Sequence, residues 1–378
     1  MNKAATSVQP KSNRTLRPAL VDLLDRFSVP ILAFLVLLVI PLTLDVFRLG
    51  LAAKYLCFAF PAVGIVLIWG YGGILSLGQG VFFGMGSYMM AMFLKLESAA
   101  NPGSSSSTAL SAFFGAAGLP DFMVWNSVEE LPWFWEPFHH VWVTIPAIFI
   151  LPPLIAFILG YVNFRNRVGG VYFTIVTLSV SAIMAIVIIG QQGYTGGING
   201  ITDFKTFQGL DLDNDQAKYV MYLITASLLI LAVLVGRFIL KSRLGRVLVA
   251  IRDHEDRVRF SGYDSAMFKA FVFAVGALFA SVGGAMFTIQ VGLASPSLVG
   301  IVPSIEMVIY AAVGGRLSLI GAVYGAFLVN AAKTFFSENF VEYWVYFIGA
   351  LYVIIVMFLP LGLAGILDKL RGSGGRSG

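Results

Sequence analysis

Ten apolar stretches recur along the chain, at roughly 31–47, 52–72, 80–96, 141–161, 171–190, 217–240, 267–290, 301–315, 318–336 and 343–364. Most approach the roughly 20 apolar residues that a helix needs to cross about 30 Å of hydrocarbon. The expected fold is therefore all-α: a polytopic membrane protein with about ten transmembrane helices. Composition agrees, since 58% of the residues are hydrophobic and 12% charged, against about 45–50% and about 25% in soluble chains. That balance excludes a soluble enzyme, a disordered chain and a disulfide scaffold. The single cysteine, Cys57, permits no intrachain disulfide.

The few charges are sorted along the chain. Lys3, Lys11, Arg14, Arg17 and Arg26 lie in the first 30 residues, Arg165 and Arg167 follow the fourth apolar segment, and Lys369 and Arg371 follow the tenth. A larger group, Lys241, Arg243, Arg246, Arg252, Arg257, Arg259 and Lys269, follows the sixth. The loop 97–140 has Glu97, Asp121, Glu129, Glu130 and Glu136 and no Lys or Arg. Because cations crowd cytoplasmic loops, the expected orientation has both termini in the cytoplasm and an even number of spans. The domain reading is a tail at 1–30, a permease domain at 31–366 and a tail at 367–378, with an outer loop at 97–140 and a cytoplasmic coupling loop at 241–266. A net charge of +5 distributed this way is no nucleic-acid signal.

Within the outer loop, 101–108 is rich in Ser and Gly, a flexible composition, and 131–140 reads LPWFWEPFHH. Such aromatic density beside a span points to an interfacial belt, with a docking surface for an external partner as the rival. His139 and His140 have no third ligand at metal spacing, so no metal and no cofactor is expected. Nucleotide-cradling and hydrolase motifs are missing too, so energy must come from a partner or a gradient. A possible internal repeat relates Gly72-Gly73-Ile74-Leu75-Ser76-Leu77 to Gly314-Gly315-Arg316-Leu317-Ser318-Leu319.

Segment 241–269 mixes both charge signs with apolar residues at helical spacing. Val247, Ala250, Ile251, His254 and Val258 define one stripe, and Gly262 is a natural stop. An amphipathic helix on lipid headgroups is one reading; docking into a protein groove suits the mixed signs better.

The run from Ala250 to Asp264, AIRDHEDRVRFSGYD, resembles the cytoplasmic coupling loop of ABC importer permeases of the branched-chain amino acid and urea type. The stretches 75–84, 165–173, 195–204, 304–309 and 313–316 are similar to that family's other signatures, in the same order. The outer-loop runs 119–124 and 130–135, with 199–204, resemble the urea branch. Gln79, Ile198 and Leu317-Ser318 depart from that branch's usual residues. The resemblance implies a permease subunit, itself not an enzyme, in a bacterial inner membrane. It would move urea by ATP-coupled alternating access, with branched-chain amino acids or short amides as the alternative. Implied partners are a second homologous permease, two cytosolic ATP-binding subunits, an external solute-binding protein and membrane lipid. A channel or secondary transporter without an ATPase is the rival of another class.

The expected substrate pathway uses Ser76, Gln79, Asn199, Thr202 and Glu306. Ser76 and Gln79 occupy a glycine-interrupted stretch where freed backbone can line a cavity, and a carboxylate such as Glu306 inside a span normally faces a wet interior. Arg252, Glu255, Asp256, Arg259 and Gly262 are the expected ATPase-coupling residues.

Overall fold

The computed structural model describes residues 28–100, 119–204, 206–340 and scattered positions from 342 to 365. Almost all of the N-terminal tail, the 101–108 stretch, the C-terminal tail and most of the tenth apolar segment lie outside the described residues. Among the described residues the fold is all-α apart from a small hairpin, β1 (Thr206–Phe207) with β2 (Leu210–Asp211).

The principal helices are α1 (Ser28–Thr43), α2 (Val46–Tyr71), α3 (Gln79–Ala100), α4 (Val141–Arg165), α5 (Val171–Gly190), α6 (Asp215–Lys241), α7 (Arg243–Phe260), α8 (Ser265–Val291), α9 (Ile301–Gly314) and α10 (Leu319–Asn339). Among the described residues six of these, α2, α4, α5, α6, α8 and α10, are long and apolar enough to cross a membrane. Helices α1 and α9 are apolar but short. Helix α3 has the length, but its last turns carry Lys95 and Glu97.

A helix that is apolar all round is a buried one, and α2 and α8 are the most buried of the six candidate spans. Their most apolar windows are 89% and 83% buried, against 28% for α4 and 22% for α5. Helix α8 packs on α2, α3 and α4, while α2 also meets α6, α9 and α10. Phe58, Phe83 and Phe287 pack together where α2, α3 and α8 converge, with ring centroids 5.3–5.6 Å apart; Phe58 stacks on Phe83, and Phe287 meets both at an angle. Lipid offers no hydrophobic drive between helices, so close contact relies on small residues. At Gly86 and Gly284 the α3 and α8 backbones approach so closely that a Cβ would overlap the carbonyl oxygens of Ser281 and Phe83.

Helix α1 carries a π-helical turn over Leu35–Val39. Pro41 has no N–H to offer the preceding carbonyls. The Tyr222 hydroxyl, on α6, donates to the Val36 carbonyl at 2.8 Å and is fully buried. Tyr222→Phe leaves that buried acceptor unpaired and is expected to cost about 1–3 kcal/mol, read as a lowered melting temperature in detergent.

The aromatic belt expected at 131–140 divides in two. Trp133 is exposed as a belt residue should be, but Trp135 is buried against Phe122. The chain turns at 133–135 and enters a 3-10 turn at Glu136–His139, which points the two tryptophans different ways and makes Trp135 core.

Candidate functional site

Between α2 and α3 the backbone leaves helical geometry at residues 72–78. Gly73 takes a φ of +68°, with the Arg252 side chain against its Cα. The stretch is held by side chains: Thr174 donates to the Leu75 carbonyl at 2.8 Å, and the Leu77 N–H donates to Thr177 Oγ1 at 3.2 Å. The Gly78 N–H donates to Ser76 Oγ at 3.3 Å. The first turn of α3 has unsatisfied N–H groups, and that of Gly80 donates to Ser304 Oγ at 3.1 Å. Ser304 and Ser181 share a further hydrogen bond of 3.1 Å. Since Ser181 lies midway along α5, the 72–78 break and the start of the short helix α9 meet within the bundle. Paired interruptions of this kind line substrate routes in many transporters.

Gln79 stands at this junction, fully buried, and neither its amide oxygen nor its amide nitrogen has a hydrogen-bond partner. Asn199 and Thr202 are elsewhere. They are exposed on the loop joining α5 to α6, whose Ile201 pairs with Ala294 through backbone bonds of 2.8 and 3.0 Å. The fold does not hydrogen-bond either residue to Ser76 or Gln79.

Glu306 lines a cavity of about 990 Å³ walled by α2, α5, α8, α9 and α10 and the 292–300 loop. Its carboxylate accepts from Lys333 Nζ at 2.9 and 3.2 Å and from the Tyr310 hydroxyl at 3.0 Å. Lys54 lines the same cavity. Sequence reasoning passed over both lysines, although a lysine inside the apolar runs 52–72 and 318–336 was a signal of the same kind as Glu306.

Helix α7 begins on Ser242, whose hydroxyl accepts the Leu244 N–H at 3.2 Å. Its buried residues are Gly245, Leu248 and Ile251. This corrects the expected stripe, for Ala250 and His254 are exposed. His254 breaks helical geometry at φ −151°, ψ 78°, so a single helical register does not run through the segment. Arg252 donates to the Gly70 carbonyl at 2.8 Å and to Asp253 at 2.9 Å, fastening α7 beneath the end of α2. Glu255 is a hub: its carboxylate accepts from Arg259 and Ser265, each at 2.9 Å, and from Lys269. Asp256 is exposed, and Gly262 follows the helix end with φ +86°. No group of three or more His, Cys, Asp or Glu side chains able to hold a metal occurs among the described residues.

The high-affinity branched-chain amino acid transport system permease protein LivM of Escherichia coli K12 is 24% identical over 323 residues, covering 80% of this chain and 66% of that protein. Its Salmonella typhimurium LT2 counterpart is 23% identical over 335 residues, 83% of this chain and 69% of that one. BraD of Pseudomonas aeruginosa, of the same description, is 29% identical over 129 residues, 34% of this chain and 42% of its own. The match thus spans just under two thirds of the E. coli relative. No solved structure matches. The family model for the permease component of the branched-chain amino acid transport system matches residues 47–356, from the start of α2 through the docked helix α7 to beyond α10, and the chain belongs to that family.

Proposed function

We propose that this chain is one permease subunit of an ATP-driven importer of branched-chain amino acids, working by alternating access. The observation that carries this reading is α7, an amphipathic helix fastened beneath the bundle by Arg252 and tied to α8 by Glu255, with Asp256 and Arg257 left exposed. A channel or a secondary transporter has no use for such a helix; an ATP-binding subunit does. In this reading a second homologous permease, two ATP-binding subunits and an external solute-binding protein complete the machine. About ten spans with both termini in the cytoplasm suit the charge distribution. Duplication is supported by the two glycine turns, where Ser76 and Ser318 each accept an N–H from a glycine two or three residues on.

The relatives are branched-chain amino acid transport permeases, which favours that substrate class over urea. Uptake of labelled leucine against labelled urea, in a strain deleted for its own systems, decides between them. Urea uptake without leucine uptake overturns the substrate reading. Uptake that persists without the ATP-binding subunits overturns the ATP-driven one.

Ser76, Gln79 and Glu306 are proposed for the inner pathway, and Asn199 and Thr202 for its outer approach. An amide buried without partners costs about 1–3 kcal/mol, a cost consistent with a group that finds partners when substrate or another conformation is present. Gln79→Leu is therefore expected to raise the melting temperature while lowering uptake by about 10-fold, the equivalent of about 1.4 kcal/mol. A variant that loses both stability and uptake would mark Gln79 as packing alone.

A further inference from the structure

We infer that Lys54 receives the carboxylate of the transported amino acid inside the 990 Å³ cavity, an assignment that rests on the amino-acid reading above. Three charged residues line this space: Lys54, Lys333 and Glu306. Glu306 is occupied by Lys333 and Tyr310. The ammonium of Lys54 has no hydrogen-bond or ion-pair partner among the described residues, so the cavity carries one uncompensated positive charge.

Lys54 is eight residues into α2, a candidate membrane span, or about 12 Å along the helix at 1.5 Å per residue. A cation at such a position faces a wet cavity or a counter-ion. Beside it the walls are aliphatic and aromatic, with Phe58, Ile186, Leu298 and Val302. A fixed cation next to an apolar wall is complementary to a carboxylate attached to a branched hydrocarbon. Urea, which is neutral, gains nothing from it. Lys54 also lines a second cavity of about 620 Å³, with Asp213, Asp215 and Lys218 on its wall. The residue therefore borders both spaces, where an entering solute meets it. A lysine that merely snorkels to the membrane surface would show no preference for carboxylates.

The test uses the assembled membrane complex in lipid nanodiscs without the external solute-binding protein, so that selectivity reports the membrane cavity. Labelled leucine is bound and competed with unlabelled leucine or with leucinamide, whose carboxylate is replaced by a neutral amide. The wild type should prefer leucine at least about 10-fold. Lys54→Met should weaken leucine binding by a similar factor and abolish the preference, and Lys54→Arg should keep it. The preference is a ratio, so it is insensitive to how much variant assembles. Wild-type preference in Lys54→Met, or no leucine binding by the wild-type complex, overturns the assignment while cellular leucine uptake leaves the substrate reading standing. Loss of cellular leucine uptake by the wild type overturns both.

Discussion

Lys95→Met is expected to lower the stability of the protein by about 3–5 kcal/mol, the loss typical when one member of a buried ion pair is removed and its partner stays charged. Lys95 Nζ lies 2.7 Å from Asp121, and the two side chains are only 5% and 7% exposed. The same ammonium donates to the Thr202 carbonyl at 3.0 Å. One buried cation thus joins the end of α3 to the short helix Asp121–Trp125 and to the loop that carries Asn199 and Thr202. Nearby, Glu97 accepts the backbone N–H groups of Gln208 and Gly209 at 2.9 and 2.8 Å, adding a second tie to the β1–β2 hairpin. Replacing both members by apolar residues of similar volume is often neutral, so Lys95→Met with Asp121→Leu should recover most of the loss. Thermal melting in detergent measures it. A double variant as unstable as the single one would show that the pair contributes packing and not charge compensation.

Glu255→Gln is expected to separate ATP hydrolysis from transport. Glu255 ties α7 to the start of α8, because Ser265 and Lys269 both donate to it, and Arg259 adds its own donation to Ser265 at 2.8 Å. Helix α8 is deeply buried, so in the proposed reading a displacement of α7 would be passed to the bundle through this carboxylate. With the link neutralised, uptake should fall by about 10-fold, within the range typical of coupling free energies, while hydrolysis by the ATP-binding subunits continues. Uptake and hydrolysis falling together would instead mean failed assembly, and unchanged uptake would remove Glu255 from the coupling route.

The same residue predicts a pH dependence. Burial opposes ionisation of Glu255, but Lys269, Ser265 and Arg259 outweigh it and hold the carboxyl below its ordinary value of 4.5. A folded-state pKa below the unfolded one contributes stability that is fully present above the ordinary value and is lost as pH falls through the folded one. Acid titration of the wild type should therefore show a loss of stability beginning below about pH 4.5 that Glu255→Gln lacks. Identical acid limbs would sink the prediction.

Much of this was readable from residues alone where the physics is local. Apolar length marks a span wherever it occurs, so the positions of α2, α4, α5, α6, α8 and α10 follow from composition along the chain. Charge mixed with helical spacing located α7, and a glycine able to take positive φ located its end at Gly262. Partnerships across the bundle depend on which helix faces turn toward one another, and composition carries no record of that. Glu306 was visible as an intramembrane carboxylate, but its pairing with Lys333, 27 residues away, needed α9 and α10 to cross. Helix α7 buries Gly245, Leu248 and Ile251 because that face turns toward the bundle, and the kink at His254 ends a single register beyond it. Trp135 became core while Trp133 stayed exposed because the backbone turns between them at 133–135. An all-α membrane chain with an amphipathic helix near residue 250, and its permease family, are legible in the residues, since hydropathy and motif order act locally. Which polar groups share a cavity depends on folding, because packing of α2, α9 and α10 brings Lys54, Glu306 and Lys333 from distant segments to line the same space.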